Sequence, residues 1–279
     1  MSQNLSSPNP MQPLSVGNVV SAGLRLYRSH LKLFFQLALK AYLWILVPVY
    51  GWAKFYAIAA LISRLAFGEL VNQPESVEAG SRYINSRLWQ FLITALLILL
   101  LSAGIGTVFV IIVAIFTGLF AALVAVSPGA SIVAILLALL VITAFIIGVF
   151  WLMAHFFIVD IPLAIEDNVN ASLTISRSWE LTKGQVLRIL AIYFIAFLIT
   201  LPLQIAAQFI NTIIQIVFNL LLKQAPTVYS LLSYLLLLSL SLLSGAVVLP
   251  FWQASKAVIY YDLRSRREGL GLKLRARNI

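Results

Sequence analysis

The chain has only two histidines, His30 and His155, and no cysteine. Ser-His-Asp catalysis needs a nucleophile, base and orienting acid brought together, and a zinc site needs clustered His or Cys ligands. Two histidines 125 positions apart offer neither pattern. His30 lies among Arg28, Ser29 and Lys32, which suits a solvated interfacial side chain. His155 follows Trp151 near the end of a long apolar run. With Asp160, Glu166 and Asp167 it offers the one conceivable metal cluster, set against the simpler expectation that these acids pair with Arg177, Lys183 or Arg188. Asp262 carries the same expectation of pairing with a basic residue. The paired glutamates and separate histidine motifs of an intramembrane protease are absent.

Ionisable groups inside a membrane mark transport routes by default. Lys40 is the one such residue near the centre of an apolar run, and its long stem lets it reach the interface, as does that of Lys256. A second polar feature follows Pro202. Gln204, Gln208, Asn211, Gln215 and Asn219 are spaced 4, 3, 4 and 4, so they share one helix face. That stripe reads as a hydrophilic groove, as the wet side of a surface helix, or as amides that bond across helices.

These residues need elements to carry them, and composition fixes the kind. Of 279 residues, 62% are hydrophobic and 10% charged, against about half and about a quarter in a soluble domain. Apolar runs at 89–126 and 131–159 exceed the roughly 20 residues that span a bilayer core. They are apolar all round, without the alternation of a transmembrane barrel strand. The fold class is all-α, a polytopic transmembrane helical protein.

Nineteen basic and nine acidic residues give a net charge of +10. The basic residues cluster at the ends of apolar runs, so the positive-inside rule accounts for them without nucleic acid. Two links, at 127–130 and 224–227, carry no charge. Placing the basic regions in the cytoplasm puts 16 of the 19 there, together with both termini. Crossings fall within 89–126, 131–159, 186–203 and 229–260. The stretch 33–67, broken at Pro48 and Gly51, crosses twice or forms a re-entrant hairpin, and about six membrane segments is the preferred count. The runs 89–126 and 186–223 are too long for one span, which predicts a second, surface-lying helix at the end of each.

Residues 1–13 are polar, Pro-containing and free of basic residues, the composition of a disordered tail rather than a signal peptide. A single membrane domain is expected over 14–263, with a basic cytoplasmic tail over 264–279. Ser15 reads as an N-cap, followed by Asn18, Ser21, Arg25, Arg28 and Lys32 on one face and Val16, Val20, Leu24, Tyr27 and Leu31 on another. Such an amphipathic helix lies at an interface with its cations on lipid phosphates. Ala22, Gly23, Arg25, Ser29, Leu31 and Phe34 match Ala79, Gly80, Arg82, Ser86, Leu88 and Phe91 at a constant offset of 57. Three units follow, at 15–67, 74–160 and 168–262, each an amphipathic helix before a membrane hairpin.

Three segments carry a family resemblance: 14–17 leading to 24–28 (LRLYR), Ile165 and Glu166 followed by 176–184 (SRSWELTKG), and 260–269 (YYDLRSRREG). The pattern resembles the membrane domain found ahead of some bacterial glycerophosphodiester phosphodiesterases and in free-standing bacterial membrane proteins. The resemblance implies a six-helix membrane domain and no activity, because the chemistry of the two-part enzymes resides in a separate barrel whose histidine signature is missing here.

No cofactor or metal is expected. The reading is a non-enzymatic membrane protein that organises lipids or assists assembly or retention of membrane protein partners. A channel or transporter for a small or lipid-like solute, using the Gln204–Asn219 face, is the alternative. Anionic lipid is the expected partner, contacted by Arg25, Arg28 and Lys32 and by Arg264, Arg266 and Arg267, with Lys273, Arg275 and Arg277 beyond them.

Overall fold

The computed structural model describes residues 14–127, 131–221 and 226–269. The expected tail at 1–13, most of the two uncharged links, and Lys273, Arg275 and Arg277 lie outside the described residues. The described chain is helical, with no strand. In order the helices are α1 (Val16–Ser29), α2 (Leu31–Ile45), α3 (Tyr50–Leu70), α4 (Val77–Ser86), α5 (Leu88–Val126), α6 (Ser131–Phe156), α7 (Asp160–Ile165), α8 (Ala171–Thr182), α9 (Val186–Leu221) and α10 (Pro226–Glu268).

The short helices begin where a side chain can accept from the free amides of a first turn. Ser15 Oγ accepts from Asn18 N–H at 3.2 Å, Ser76 Oγ from Ala79 N–H at 3.2 Å, and Asn170 Oδ1 from the amides of Ser172 and Leu173 at 3.1 and 2.9 Å. The break between α2 and α3 falls at Pro48, and Val49 there takes φ 60°. A β-branched side chain is strained in that left-handed region, so the surrounding contacts must hold the turn.

Four helices are long and apolar enough to cross a membrane: Leu88–Ala122, Ser131–Ile165, Val186–Leu220 and Thr227–Glu268. The most apolar stretches of the first two are unburied and those of the last two are 22% and 6% buried, so these helices expose apolar surface that the protein's own core does not cover. α2 and α3 are not among the four. α2 has 15 residues, about 22 Å at 1.5 Å each, and α3 carries Lys54, Arg64 and Glu69. Both α5 and α9 run unbroken through their 39 and 36 residues, which corrects the expectation of a second helix at the end of each. Pro202 sits inside α9 without ending it.

The packed core lies at one end of the long helices. There α1, α2 and α3 surround the second half of α10, with Val19, Phe34, Ala38, Ile62, Ala254 and Tyr260 fully enclosed. Close approach rests on small residues. A Cβ on Gly23 would stand 2.6 Å from Ser255 Oγ, and one on Gly245 would fall within the ring of Tyr42. Ser63 of α3 donates to Gln253 Oε1 of α10 at 2.6 Å, which satisfies a buried hydroxyl and amide together. α3 is enclosed along much of its length, buried continuously from Ala57 to Ser63. At one of its ends Arg64 Nη1 donates to the carbonyl of Ala164 at 2.7 Å. Towards the other, Lys54 Nζ meets Asn85 Oδ1 at 2.8 Å, and Tyr50 packs edge-on against Trp89.

Candidate functional site

The core end of the bundle is ringed by ion pairs, and they separate the basic residues into engaged and free. Asp262, 4% exposed, accepts from the Leu14 amide at 3.0 Å and stands 2.9 Å from Arg188 Nη2 and 3.0 Å from Arg266 Nε. Arg188 and Arg266 also donate to the Leu14 carbonyl. A second hub is Arg177, which pairs with Glu166 at 3.1 Å, with Glu268, and with Glu180 at 3.5 Å. Burial works against its charge, but Glu166 and Glu268 outweigh that and hold the guanidinium above its ordinary range. Tyr260 donates to Glu166, and Arg264 pairs with Glu268 at 2.8 Å. On the α3–α4 side Arg64 pairs with Glu75 at 2.6 Å. Arg87 donates to the carbonyls of Glu166 and Asp167, and the Tyr83 ring lies between Arg64 and Arg87.

The sequence-nominated cations therefore divide. Arg264 is half-buried and Arg266 exposed, and both are paired; Arg267 donates to the Lys183 carbonyl, and α10 continues through all three rather than giving way to a tail. Arg25, Arg28 and Lys32 are exposed, and none forms an ion pair among the described residues. Val19, Val20 and Gly23 of α1 face the core instead.

The acids behave differently from a metal cluster. Asp160 is held by Lys256 Nζ at 3.0 and 3.1 Å, Glu166 by Arg177 and Tyr260, and no group of metal-ligating side chains forms among the described residues. The expected pairing of Glu166 with Arg177 is present. The partner of Asp160 is Lys256 of α10, a residue that sequence distance concealed.

His155 is 2% exposed and packs into α8. Its Nδ1 lies 2.8 Å from Thr182 Oγ1, while Ser178 Oγ donates to the His155 carbonyl at 2.6 Å. Its ring stacks on Trp179 at 4.0 Å between centroids and meets Trp151 edge-on at 4.6 Å. Sequence reasoning missed this aromatic setting. The signal was the 4-residue spacing of Ser178 and Thr182 around Trp179, two small hydroxyls that let an aromatic helix face approach α6.

Two concavities border this region. One, about 480 Å³, lies between α5 and α6, walled by Ile98, Ile105, Phe145 and Val149 with Lys256 at its end. The other, about 520 Å³, lies beside the start of α9, with His155, Trp179 and Lys183 in its wall. The amide stripe is elsewhere. Gln204, Gln208, Gln215 and Asn219 are exposed along α9, while Asn211 is 5% exposed and accepts from Gln215 Nε2 at 3.2 Å. Around them Phe209 is 68% and Ile213 52% exposed, so the amides lie within an otherwise apolar surface.

Residues 19–263 match the profile of a family described as a domain of unknown function, DUF7847. The chain belongs to that family. The DUF7847 match takes in both ion-pair hubs except Leu14, Arg264, Arg266 and Glu268, and all of the His155 setting. No curated protein and no solved structure matches the chain.

Proposed function

We propose that this DUF7847 member is a non-enzymatic integral membrane protein that gathers anionic lipids around the cytoplasmic end of its bundle in a bacterial inner membrane. The observation that carries the reading is the contrast among cations. Arg64, Arg87, Arg177, Arg188, Arg264 and Arg266 are spent on internal partners, whereas Arg25, Arg28 and Lys32 stand exposed and unpaired on one side of α1 and the start of α2. Leu31, 50% exposed, lies between Arg28 and Lys32. Cations flanking an exposed leucine suit a helix lying in the head-group layer.

In this reading four helices cross the bilayer and both termini lie in the cytoplasm. α2 and α3 lie against the basic end: contacts from α3 reach α4, α7 and the first turn of α5, and α3 carries three charged residues. The relationship to the membrane domains that precede some glycerophosphodiester phosphodiesterases belongs to the same proposal. So does assistance to membrane protein partners.

Each cation near an anionic surface contributes about 1 kcal/mol. Extraction of the chain into native lipid nanodiscs, with mass spectrometry of the retained lipid, is therefore expected to show anionic lipid above the bulk membrane ratio. Arg25→Gln, Arg28→Gln and Lys32→Gln together are expected to return it to the bulk ratio. Unchanged enrichment in the triple variant would overturn the reading.

A further inference from the structure

Two glutamines of α9 lie where a membrane leaves a polar side chain no water. α9 offers the span Val186–Leu220, and Arg188, paired with Asp262, holds its start at the basic end. The hydrocarbon core takes roughly 20 residues. Every such window between Ile189 and Leu220 contains 201–208, so Gln204 and Gln208 sit in hydrocarbon at any placement of the span. Both are exposed, and neither side chain forms a hydrogen bond among the described residues. An amide without a partner is costly there. Gln215 and Asn219 extend the same exposed face. Gln215 gives one hydrogen to Asn211 Oδ1 at 3.2 Å, which steadies its amide and leaves a second N–H and its oxygen for another group.

Whatever covers this stripe must supply donors and acceptors at the same spacing. Gln204 and Asn211 are seven residues apart, as are Gln208 and Gln215, and the two series interleave at 4, 3 and 4. That repeat is the seam of two helices crossing at a shallow angle. Ile205 and Ile216, 56% and 55% exposed, border it and add apolar contact. The Thr212 hydroxyl beside them donates to the Gln208 carbonyl at 2.9 Å and so has its hydrogen placed. Copies of one chain enter a membrane in the same orientation, so a two-fold axis between them runs along the membrane normal. Each residue then meets its own counterpart at equal depth. A charged stripe would repel itself in that arrangement, whereas an amide carries both donor and acceptor and pairs with its like. Gln204, Gln208, Asn211, Gln215 and Asn219 are amides without exception. Their chemistry matches a second copy of this chain.

We propose that this protein forms a parallel dimer in which the amide face of α9 packs on the same face of a second copy, Gln204, Gln208 and Gln215 hydrogen-bonding across the two-fold axis. The dimer requires only that α9 crosses the bilayer. It goes beyond the lipid-gathering reading, and Arg25, Arg28 and Lys32 take no part in it.

The chain has no cysteine, so disulfide trapping in native membranes reads the seam one residue at a time. Gln204→Cys, Gln208→Cys and Gln215→Cys, each alone in the full chain, are expected to give linked dimers on oxidation with copper–phenanthroline. A disulfide needs Cβ atoms about 4 Å apart, and only seam positions bring equal residues that close. Phe209→Cys and Ile213→Cys, exposed but turned away from the seam, are expected to stay monomeric. Equal linking at all five positions, or none at the three glutamines, overturns the proposal. Leu at 204, 208 and 215 together is expected to keep the parent's unfolding midpoint. The same variant is expected to weaken dimerisation in phospholipid vesicles by about tenfold, measured by single-molecule photobleaching at graded lipid dilution. Unchanged dimerisation in that variant, or a parent chain monomeric at every dilution, also overturns it. The Arg25, Arg28 and Lys32 variant is expected to keep the glutamine-position links. Lost enrichment of anionic lipid with those links intact leaves the dimer standing, and absent links with enrichment intact sink the dimer alone.

Discussion

Arg188, two residues into α9, stands 2.9 Å from Asp262 near the end of α10, and both side chains also bind the backbone of Leu14. One carboxylate thus fastens the entry of α1 and the basal ends of two membrane helices. Asp262 is 4% exposed. Removing one partner of a buried pair strands the other charge, which costs about 3–5 kcal/mol. Asp262→Ala is therefore expected to destabilise the chain by about 3 kcal/mol, measured by denaturant unfolding in a fixed detergent. Arg188→Met on the Asp262→Ala background is expected to recover part of the loss, because the stranded guanidinium goes with it. Equal stability of Asp262→Ala and the parent chain would show the pair to be incidental.

Gly245 faces the ring of Tyr42 so closely that any side chain would displace it. Overpacking a closed contact costs about 1–3 kcal/mol. Gly245→Val is expected to lower the unfolding midpoint, and Tyr42→Ala in the same chain to restore much of it by vacating the space. Additive losses in the double variant would place the strain somewhere other than this contact.

How much of this was legible in sequence depended on the range over which each feature acts. The long apolar helices, the Ser15 cap and the break at Pro48 are local, and composition and spacing announce them. Gly23 and Gly80, aligned at the offset of 57, each meet a neighbouring helix closely, Ser255 for the first and Leu61 for the second. Sequence could align these glycines but not name their partners. The ion pairs are the opposite case. Asp160 with Lys256 and Arg177 with Glu268 join residues about 90 or more positions apart, and periodicity carries no information across such distances. The basic residues 264–267 looked like a solvated tail because net charge is blind to which cations a fold has already paired. The continuity of α5 and α9 was hidden for another reason. Length beyond one bilayer argued for a bend, yet nothing in either run requires one, and Pro202 is absorbed within the helix.

The absence of cysteine makes the proposed topology directly measurable. Single cysteines at Ser127 and at Thr227, both exposed, lie at the ends of the long helices remote from the basic core. They are expected to react with a membrane-impermeant thiol reagent on intact cells. A cysteine at Glu78, exposed at the start of α4, is expected to react only after permeabilisation. The inverse pattern would place the basic end outside and remove the basis for contact with cytoplasmic-leaflet lipids.

Transport along α9 is the competing reading, and the exposed amides give it a specific test. Gln204, Gln208 and Gln215 face outward from an otherwise apolar surface, where a pathway would need them and a lipid organiser would not. Replacing all three by Leu leaves helix propensity nearly unchanged and leaves the buried Asn211 in place. If the protein gathers lipids through α1, this triple variant is expected to retain the parent's anionic-lipid enrichment in native nanodiscs. If α9 lines a route, the same variant abolishes solute flux in reconstituted vesicles while lipid enrichment stays as it was. Loss of enrichment itself in the Leu variant would move the lipid contact from the basic end to the α9 stripe, because amides exposed at that depth bond to whatever polar group, lipid or protein, lies against them.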